Sequence, residues 1–346
     1  MAECILRNPT GNLGTGIRKR KNLRSMFLRT YGVPSCTRPF NYCTLEVWNS
    51  TMPNVRAVPT LRRRRLGEAL RHYRNHAGPD GTSVSLEKAA ALMGWDESKM
   101  SRIENARARM PPQDVSRLLG LYKVTDPAIV TALEALARDA GKQGWWQPYG
   151  DLVASSYKDF ISLESDAESV HLYTPNLIPG LLQTGAYARE IITATAITRS
   201  SEEVTALAEV RKTRQAILTT RAEGPLKLWA IIHAAALHQR FAAAPSLMRD
   251  QLRHLIDMAD VPTVTIQVMP MDATPHPGLL GLFEVVRFPR PWPTVVHLEN
   301  LRGSSFVEGT DDVKVFEAAF ERVTAAALSV DDSREAIKEI MERNGT

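Results

Sequence analysis

A run of hydrogen-bonding side chains lies between Gly94 and Pro111, in the segment GWDESKMSRIENARARMP. Its polar members are Glu97, Ser98, Lys99, Ser101 and Arg102, followed by Arg107 and Arg109. Arginine can donate two parallel hydrogen bonds to a guanine, while serine, lysine and glutamate bond to base edges or phosphates. The segment therefore has two interpretations: the solvated face of an ordinary surface helix, or a helix whose outer face contacts DNA.

The apolar residues around this segment have the spacing of two helices packed through a tight turn. Small Ala90 lies four residues before Gly94, and Met100 and Ile103 follow six and nine residues after it. Such a pair needs a small residue at the closest approach, positive φ in the turn and apolar residues on the inner face of the second helix. Asp96 suits the N-cap of that helix. The spacing predicts a helix-turn-helix.

An arginine run precedes this pair, in LRRRRLGEALRHYRNHAG. Leu66, Leu70 and Tyr73 form the apolar stripe of one helix, and Arg62 to Arg65 lie at its start. Cations there oppose the helix dipole, so we expect an external anion to compensate them. The alternative is a solvated basic turn.

The Ala90, Gly94, Met100 and Ile103 frame, with the ending SRIENARARMP, resembles the Cro/repressor-type (XRE) helix-turn-helix family. The helix predicted in PPQDVSRLLGLY, with apolar residues Val115, Leu118, Leu119 and Tyr122, suits the family's bundle of four to five helices. The resemblance implies a transcriptional regulator that binds a double-stranded operator, usually as a homodimer.

The docking geometry of that family implies roles for the polar side chains. The N-terminal part of the second helix would enter the major groove, which makes Ser98, Lys99 and Arg102 candidates for base contacts. Glu97 would either accept a hydrogen bond from a cytosine or stabilise the helix N-terminus. Ser101 belongs to the same outward face.

Three charged residues follow in the same segment. Arg107 and Arg109 suit phosphate contacts, which position a protein without specifying sequence. Glu104 is expected to form a salt bridge instead, with an arginine of the first helix.

Composition limits the class of protein. The chain has 346 residues and 44% hydrophobic content, which suits two or three globular domains. No stretch has the roughly 18 apolar residues of a membrane helix, and no secretory signal is present, so we expect a cytoplasmic protein without a membrane partner.

The net charge is +6 over residues 1–51, +6 over 52–110 and −7 over the rest. A basic front favours a polyanion as partner; a merely solvated basic face is the alternative.

Residues 1–51 differ from the rest of the chain. They lack helical periodicity and contain all three cysteines, Cys4, Cys36 and Cys43, whose spacing indicates neither a disulfide framework nor a zinc site. The basic RKRK at 18–21 suits a disordered DNA-binding arm. We favour the alternative that 1–51 is an extension upstream of a start at Met52.

The remaining chain predicts domains at 60–143 (helix-turn-helix, core 66–122) and 159–346, joined by a linker at 144–158. The second domain mixes segments of two kinds. Strands are expected in SVHLYT, LKLWAIIH, PTVTIQVMPM, GLLGLFEVVRF and PTVVHLEN, and helices in QTGAYAREII, SLMRDQLRHLIDMAD and near 201–219, 312–328 and 333–344. This mixture indicates a mainly α chain with a C-terminal α+β domain.

A second resemblance rests on PNLIPGLLQTGAYARE, EVRKTRQAIL, MPMDATPHPGLLGLFEVVRF and VVHLEN. Together they look like a group of actinomycete regulators in which an XRE helix-turn-helix precedes a C-terminal domain of unassigned function. Many of these are encoded beside a very small partner protein, and some are antitoxin-like. The resemblance implies that the domain senses a ligand or binds a partner.

Enzyme classes find little support. Self-cleaving repressors cut an Ala-Gly bond, and Ala140-Gly141 is present, but no downstream strand offers the required serine with a buried lysine. His233 and His238 miss the i, i+4 spacing of a metalloprotease helix, so we expect no catalytic residue, metal or cofactor. Tyr173, Gln183, Tyr187 and His276 are weak candidates to line a pocket.

Overall fold

An N-terminal helical bundle and a six-stranded sheet with its helices make up the part of the chain that the computed structural model describes. That part comprises residues 60–140, 145–195, 199–221, 224–300 and 303–343, which belong to one compact unit. The predicted extension 1–51, with its cysteines, and the Gly141 of the Ala-Gly pair lie outside these residues.

The bundle has five helices, which confirms the predicted four to five. They are α1 (Leu61–Asn75), α2 (Leu86–Met93), α3 (Glu97–Glu104), α4 (Pro112–Leu121) and α5 (Pro127–Asp139). Their shared core is apolar and buried. It includes Leu66, Leu70, Ala90, Met93, Met100, Ile103, Met110, Val115, Leu118, Leu119, Tyr122 and Leu133.

The turn between α2 and α3 has the conformation that the spacing predicts. Gly94 takes the left-handed conformation with φ 71°, and the Trp95 N–H donates to the Ala90 carbonyl at 2.9 Å. The Asp96 side chain caps α3 by accepting from the Lys99 N–H at 2.7 Å. Ala90 is buried at the contact between the two helices. The turn glycine, the N-cap and the small residue at the helix contact therefore have the roles predicted for them.

A close contact joins α1 to the end of α3 at Gly67. A Cβ added to Gly67 would lie 2.5 Å from the Glu104 carbonyl oxygen and 2.9 Å from that of Ile103. The glycine lets the two backbones approach each other, and so fixes α1 against the helix that carries the candidate DNA-contacting residues.

The α+β part begins with α6 (Ser155–Asp166). Its strands are β1 (Ser169–Thr174), β2 (Lys227–His233), β3 (Val264–Met269), β4 (Phe283–Arg287), β5 (Val295–Asn300) and β6 (Gly303–Val307). Its other helices are α7 (Gly185–Thr195), α8 (Ser201–Arg214), α9 (Ala234–Leu237), α10 (Leu247–Met258), α11 (Thr310–Ala326) and α12 (Val330–Arg343). The predicted fold class, mainly α with a C-terminal α+β part, is confirmed.

The sheet has the order β3-β2-β1-β4-β5-β6. The β1–β2 and β2–β3 pairs are parallel, and the β1–β4, β4–β5 and β5–β6 pairs are antiparallel. Alternate side chains pack on opposite faces: Val170 and Leu172 join a cluster with α7, α10 and α12, whereas Tyr173 joins a cluster with α11. The sheet is therefore covered by helices on both faces.

Several elements differ from the sequence prediction: the short α9 was not predicted, and the predicted strand GLLGLFEVVRF begins with a 3-10 turn, so that β4 starts only at Phe283. Strand β6 was not predicted because GSSFV has only two apolar residues, and it is held by pairing with β5. Helix α6 was not predicted either, and it begins at Ser155, inside the segment 144–158 predicted as a linker. None of the described helices is long and apolar enough to cross a membrane.

Candidate nucleic-acid interface

The outer face of α3 carries the five polar side chains singled out in the sequence. Glu97, Ser98 and Arg102 are exposed, whereas Lys99 and Ser101 are half-buried. On the opposite face, Met100 and Ile103 are buried in the bundle core. The structure thus brings the five residues together on one short helix, separate from the residues that hold it in place.

Local contacts set how these side chains are presented. The Ser98 hydroxyl donates to the Asp96 carboxylate, and this bond, with that from the Lys99 N–H, holds the pKa of Asp96 below its usual value. The Lys99 ammonium lies 3.8 Å from the centre of the Trp95 ring. Arg102 donates from Nε to the Ser98 carbonyl at 3.2 Å. Its Nη1 and Nη2 make no hydrogen bond within the described residues, so they are available to a partner.

The loop after α3 folds back on the helix and leaves both of its arginines exposed. The N–H groups of Arg107 and Ala108 donate to the Arg102 carbonyl at 2.7 and 3.1 Å, and Ala106 has φ 59°. Met110 then anchors the loop in the core. Arg107 and Arg109 therefore lie beside the end of α3, on a rigid support.

Sequence reasoning missed Arg63 as a companion of Arg109. Burial lowers the pKa of Arg63, and the positive charge of Arg109 lowers it further. No acidic residue of the described part pairs with Arg63. Two neighbouring guanidinium groups without a carboxylate suit a phosphate. No sequence signal separates Arg63 from the other arginines of the run.

The rest of the arginine run has partners within the chain, so the expectation of an external anion is wrong for Arg62 and Arg64. Arg62 donates from Nε and Nη2 to the two carboxylate oxygens of Asp166 at 2.9 and 2.6 Å. Arg64 Nη2 lies 3.6 Å from Asp159, whose carboxylate also accepts from the Leu61 N–H at 3.2 Å. Helix α6 therefore supplies the negative charge that the N-terminus of α1 needs.

Glu104 forms the salt bridges predicted for it. Its carboxylate accepts from Arg74 Nε at 2.7 Å and Nη2 at 3.0 Å, and from Arg71 Nε at 3.4 Å. The Glu104 side chain is only 2% exposed. Its hydrogen bonds hold the pKa of Arg74 above the usual value. The pair fixes α1 to α3 beside the Gly67 contact.

The four side chains considered for a pocket are not brought together: Gln183 lines a cavity of about 510 Å³ with Arg189 and Lys212, and Tyr173 lies on the other face of the sheet. Tyr173 contacts His276, with ring centres 5.5 Å apart, on the α11 side of the sheet. Gln183 and Tyr187 both bond to the Ile178 backbone on the other side. No group of three acidic, histidine or cysteine side chains among the described residues could hold a metal ion.

Comparisons with known protein families match two parts of the chain. A family model described as a helix-turn-helix domain matches residues 65–133, which include every candidate DNA-contacting residue of α3 and its loop. A second model, described as a domain of unknown function (DUF5753), matches residues 157–339, more than half of the chain. Neither the comparison with curated proteins nor that with solved structures gives a match.

Proposed function

We propose that this chain, which belongs to the DUF5753 family and carries the helix-turn-helix domain of a DNA-binding regulator, is a sequence-specific transcriptional regulator. We further propose that it is of the XRE type and comes from the actinomycete group. Residues 60–143 contact a double-stranded operator, and residues 159–346 sense a ligand or partner. The observation that carries the proposal is the packing of α2 and α3 through Gly94, which leaves Arg102 exposed beside Arg107 and Arg109.

We assign base readout to Ser98, Lys99 and Arg102, with Glu97 and Ser101 at the edge of the same contact. Arg107 and Arg109 contact phosphates. The free Nη groups of Arg102 support its role, because a guanidinium with two free nitrogens can bond to both acceptors of a guanine. The Arg63–Arg109 neighbourhood supports a phosphate contact at the end of α3.

Replacing Arg102 with alanine is expected to weaken binding to the preferred duplex by roughly 5- to 150-fold, and to change binding to an unrelated duplex much less. The preferred duplex is obtained by selection from random oligonucleotides with the full chain, and affinities are measured by fluorescence anisotropy at one salt concentration. Arg109→Ala is the matched control, and should weaken binding to both duplexes alike.

Two results would contradict these assignments. Equal losses on both duplexes for Arg102→Ala would remove Arg102 from base readout. A selection that enriches no sequence would remove sequence specificity from the proposal.

We propose that the regulator binds DNA as a homodimer. One short recognition helix contacts too few base pairs for useful specificity, and dimers of this type place two helices about one helical turn of DNA apart. We also propose no enzymatic role for the C-terminal part. In support, the buried His297 packs against the rings of Phe160 and Phe306, with ring centres 4.0 and 5.4 Å apart.

A second candidate function is that of an antitoxin-like protein whose C-terminal part binds a small partner. An exposed apolar patch favours it: Leu279 and Leu280, just before β4, are 68% and 96% exposed, and Val315 of α11 is 66% exposed. Asp311 and Asp312 lie beside this patch at the start of α11. Lys314 pairs with Asp311 at 3.1 Å, so charges of both signs border the patch, as at the polar rim of a protein–protein contact.

Co-expression with the product of a small neighbouring reading frame tests this candidate. Leu280→Asp should reduce co-purification at least tenfold, since it places a charge in the centre of the patch. Leu92→Asp, at an exposed leucine of α2, is the control and should retain the partner. A partner retained by Leu280→Asp, or a Leu280→Asp chain that changes its own oligomeric mass instead, would count against the candidate.

A further inference from the structure

Arg65 of α1 is buried with donors that nothing satisfies. The residue is 5% exposed, and its guanidinium lies 3.9 Å from the centre of the Phe288 ring and 5.1 Å from that of Trp292. Its Nε and Nη2 have no hydrogen-bond partner in the described part of the chain. Burial lowers the pKa of Arg65 to about 10, so it remains charged at neutral pH. Unsatisfied buried donors on a cation are costly, which calls for an explanation.

A cavity of about 310 Å³ lies against Arg65, between the bundle and the sheet region. Its bundle wall includes Ala69 and Tyr73 of α1, and its opposite wall includes Trp292 and Glu308. Oε1 of Glu308 is also buried without a hydrogen-bond partner among the described residues. The cavity is thus lined by one buried cation, by the carboxylates of Glu68 and Glu308, and by aromatic side chains. Concave sites between domains with a few such polar groups are where small molecules usually bind.

Arg65 and Trp292 also line a second cavity, of about 370 Å³, which contains Arg62 and Asp166. Trp292 packs against the core of the bundle as well as that of the sheet region. The contact between the two regions therefore consists of ion pairs and stacked side chains, with space on both sides of the Arg65–Trp292 pair. A molecule bound in either cavity would touch this contact and could change its geometry.

We propose that the 310 Å³ cavity is the effector site of this regulator and takes a small aromatic zwitterion. Its carboxylate pairs with the Arg65 guanidinium, its ammonium donates to Glu308, and its ring packs against Trp292 and Tyr73. This assignment deepens the proposed function and rests on it in one respect: binding is expected to change the affinity for DNA.

The path from this cavity to DNA is short. Arg65 lies two residues before Gly67, where α1 contacts the end of α3, and the same helix carries Arg71 and Arg74, which bind Glu104. A ligand that pulls Arg65 toward Glu308 acts on the helix that holds α3 in place. The coupling follows one rigid element with contacts at both ends.

Calorimetry on the full chain, without DNA, tests the site with three matched probes. Phenylalanine carries both charges, phenethylamine only the cation and 3-phenylpropionate only the anion. Phenylalanine is expected to bind about tenfold or more tightly than either of the others. Arg65→Gln and Glu308→Gln should each weaken phenylalanine binding about tenfold or more, while Arg117→Gln, at an exposed arginine of α4, should not.

A further variant guards against misfolding. Ala69→Leu fills the cavity without removing a charge, and should abolish phenylalanine binding while circular dichroism stays unchanged. The proposal is overturned if phenylalanine fails to saturate the chain below about 10 mM, or if Arg65→Gln and Glu308→Gln bind it as the unaltered chain does. Because no DNA is present, a negative result here leaves the proposed function standing. A duplex selection that fails leaves the cavity assignment standing.

Discussion

Replacing Glu104 with alanine is expected to lower the free energy of unfolding by about 3–5 kcal/mol, because it leaves the largely buried Arg74 guanidinium without its carboxylate partner. Arg74, whose side chain is 11% exposed, makes two hydrogen bonds to this carboxylate. Arg71 loses a contact as well. The loss is measured by urea unfolding, followed by circular dichroism at pH 7.

The matched control is Glu87→Ala, which removes the same charge from an exposed position in the first turn of α2. It should cost less than about 1 kcal/mol, the usual contribution of an acid at a helix N-terminus. If Glu104→Ala lowers the free energy of unfolding no more than Glu87→Ala does, the buried pair contributes no more than an exposed charge. The pair would then not hold α1 to α3.

Replacing Glu164 with leucine is expected to destabilise the α+β part by about 3–5 kcal/mol, because it isolates the buried Arg214. The two side chains are 2% and 6% exposed, and Arg214 Nε lies 2.9 Å from Glu164 Oε2. Adding Arg214→Met should restore most of the loss, since a buried pair is often replaceable by apolar residues of similar volume. Urea unfolding of the single and double variants measures both effects.

A double variant no more stable than Glu164→Leu alone would contradict this account. It would show that Arg214 stabilises the fold through other contacts by as much as through its pair with Glu164. The neighbouring groups define that alternative: the Tyr157 hydroxyl accepts from Arg214 Nη1 at 2.9 Å, and a Cβ on Gly180 would lie 2.6 Å from Nη2.

Two of the segments on which the family resemblance rests lie in the same region, around Arg214. PNLIPGLLQTGAYARE and EVRKTRQAIL pack against each other: Arg211 donates to the Gln183 side chain at 3.0 Å. Gln215 donates to the carbonyls of Gly180 and Gln183 at 3.1 and 2.6 Å. In the structure these polar residues form a partly buried hydrogen-bond network that joins α8 to the turn before α7.

The α2–α3 pair was predictable because each signal lies within a few residues of the structure that it specifies. Gly94 sets the turn, Asp96 caps the next helix, and Met100 and Ile103 fall on one helical face. That Glu104 would pair with an arginine of the first helix was also predictable, since a buried carboxylate needs a cation nearby.

Long-range contacts were not predictable in this way. The carboxylates that bind Arg62 and Arg64 come from Asp166 and Asp159, about a hundred residues along the chain. The need for glycine at 67 arises only from the position of α3. Nothing local to the sequence of β1 to β3 distinguishes parallel from antiparallel pairing, and Arg65 carries no sign of its burial.

The pairing of Arg62 and Arg64 with α6 also sets how a DNA complex responds to ionic strength. Each phosphate neutralised by a protein cation releases condensed counterions, which contributes about −0.9 to the slope of log affinity against log salt concentration. Arg62 and Arg64 are already neutralised, and Arg65 is buried. Among the described cations at the start of α1, on α3 and in the loop after it, Arg63, Lys99, Arg102, Arg107 and Arg109 remain. These five residues should therefore contribute about −4.5 to the slope per subunit, rather than the −7 or so that all eight described cations would contribute.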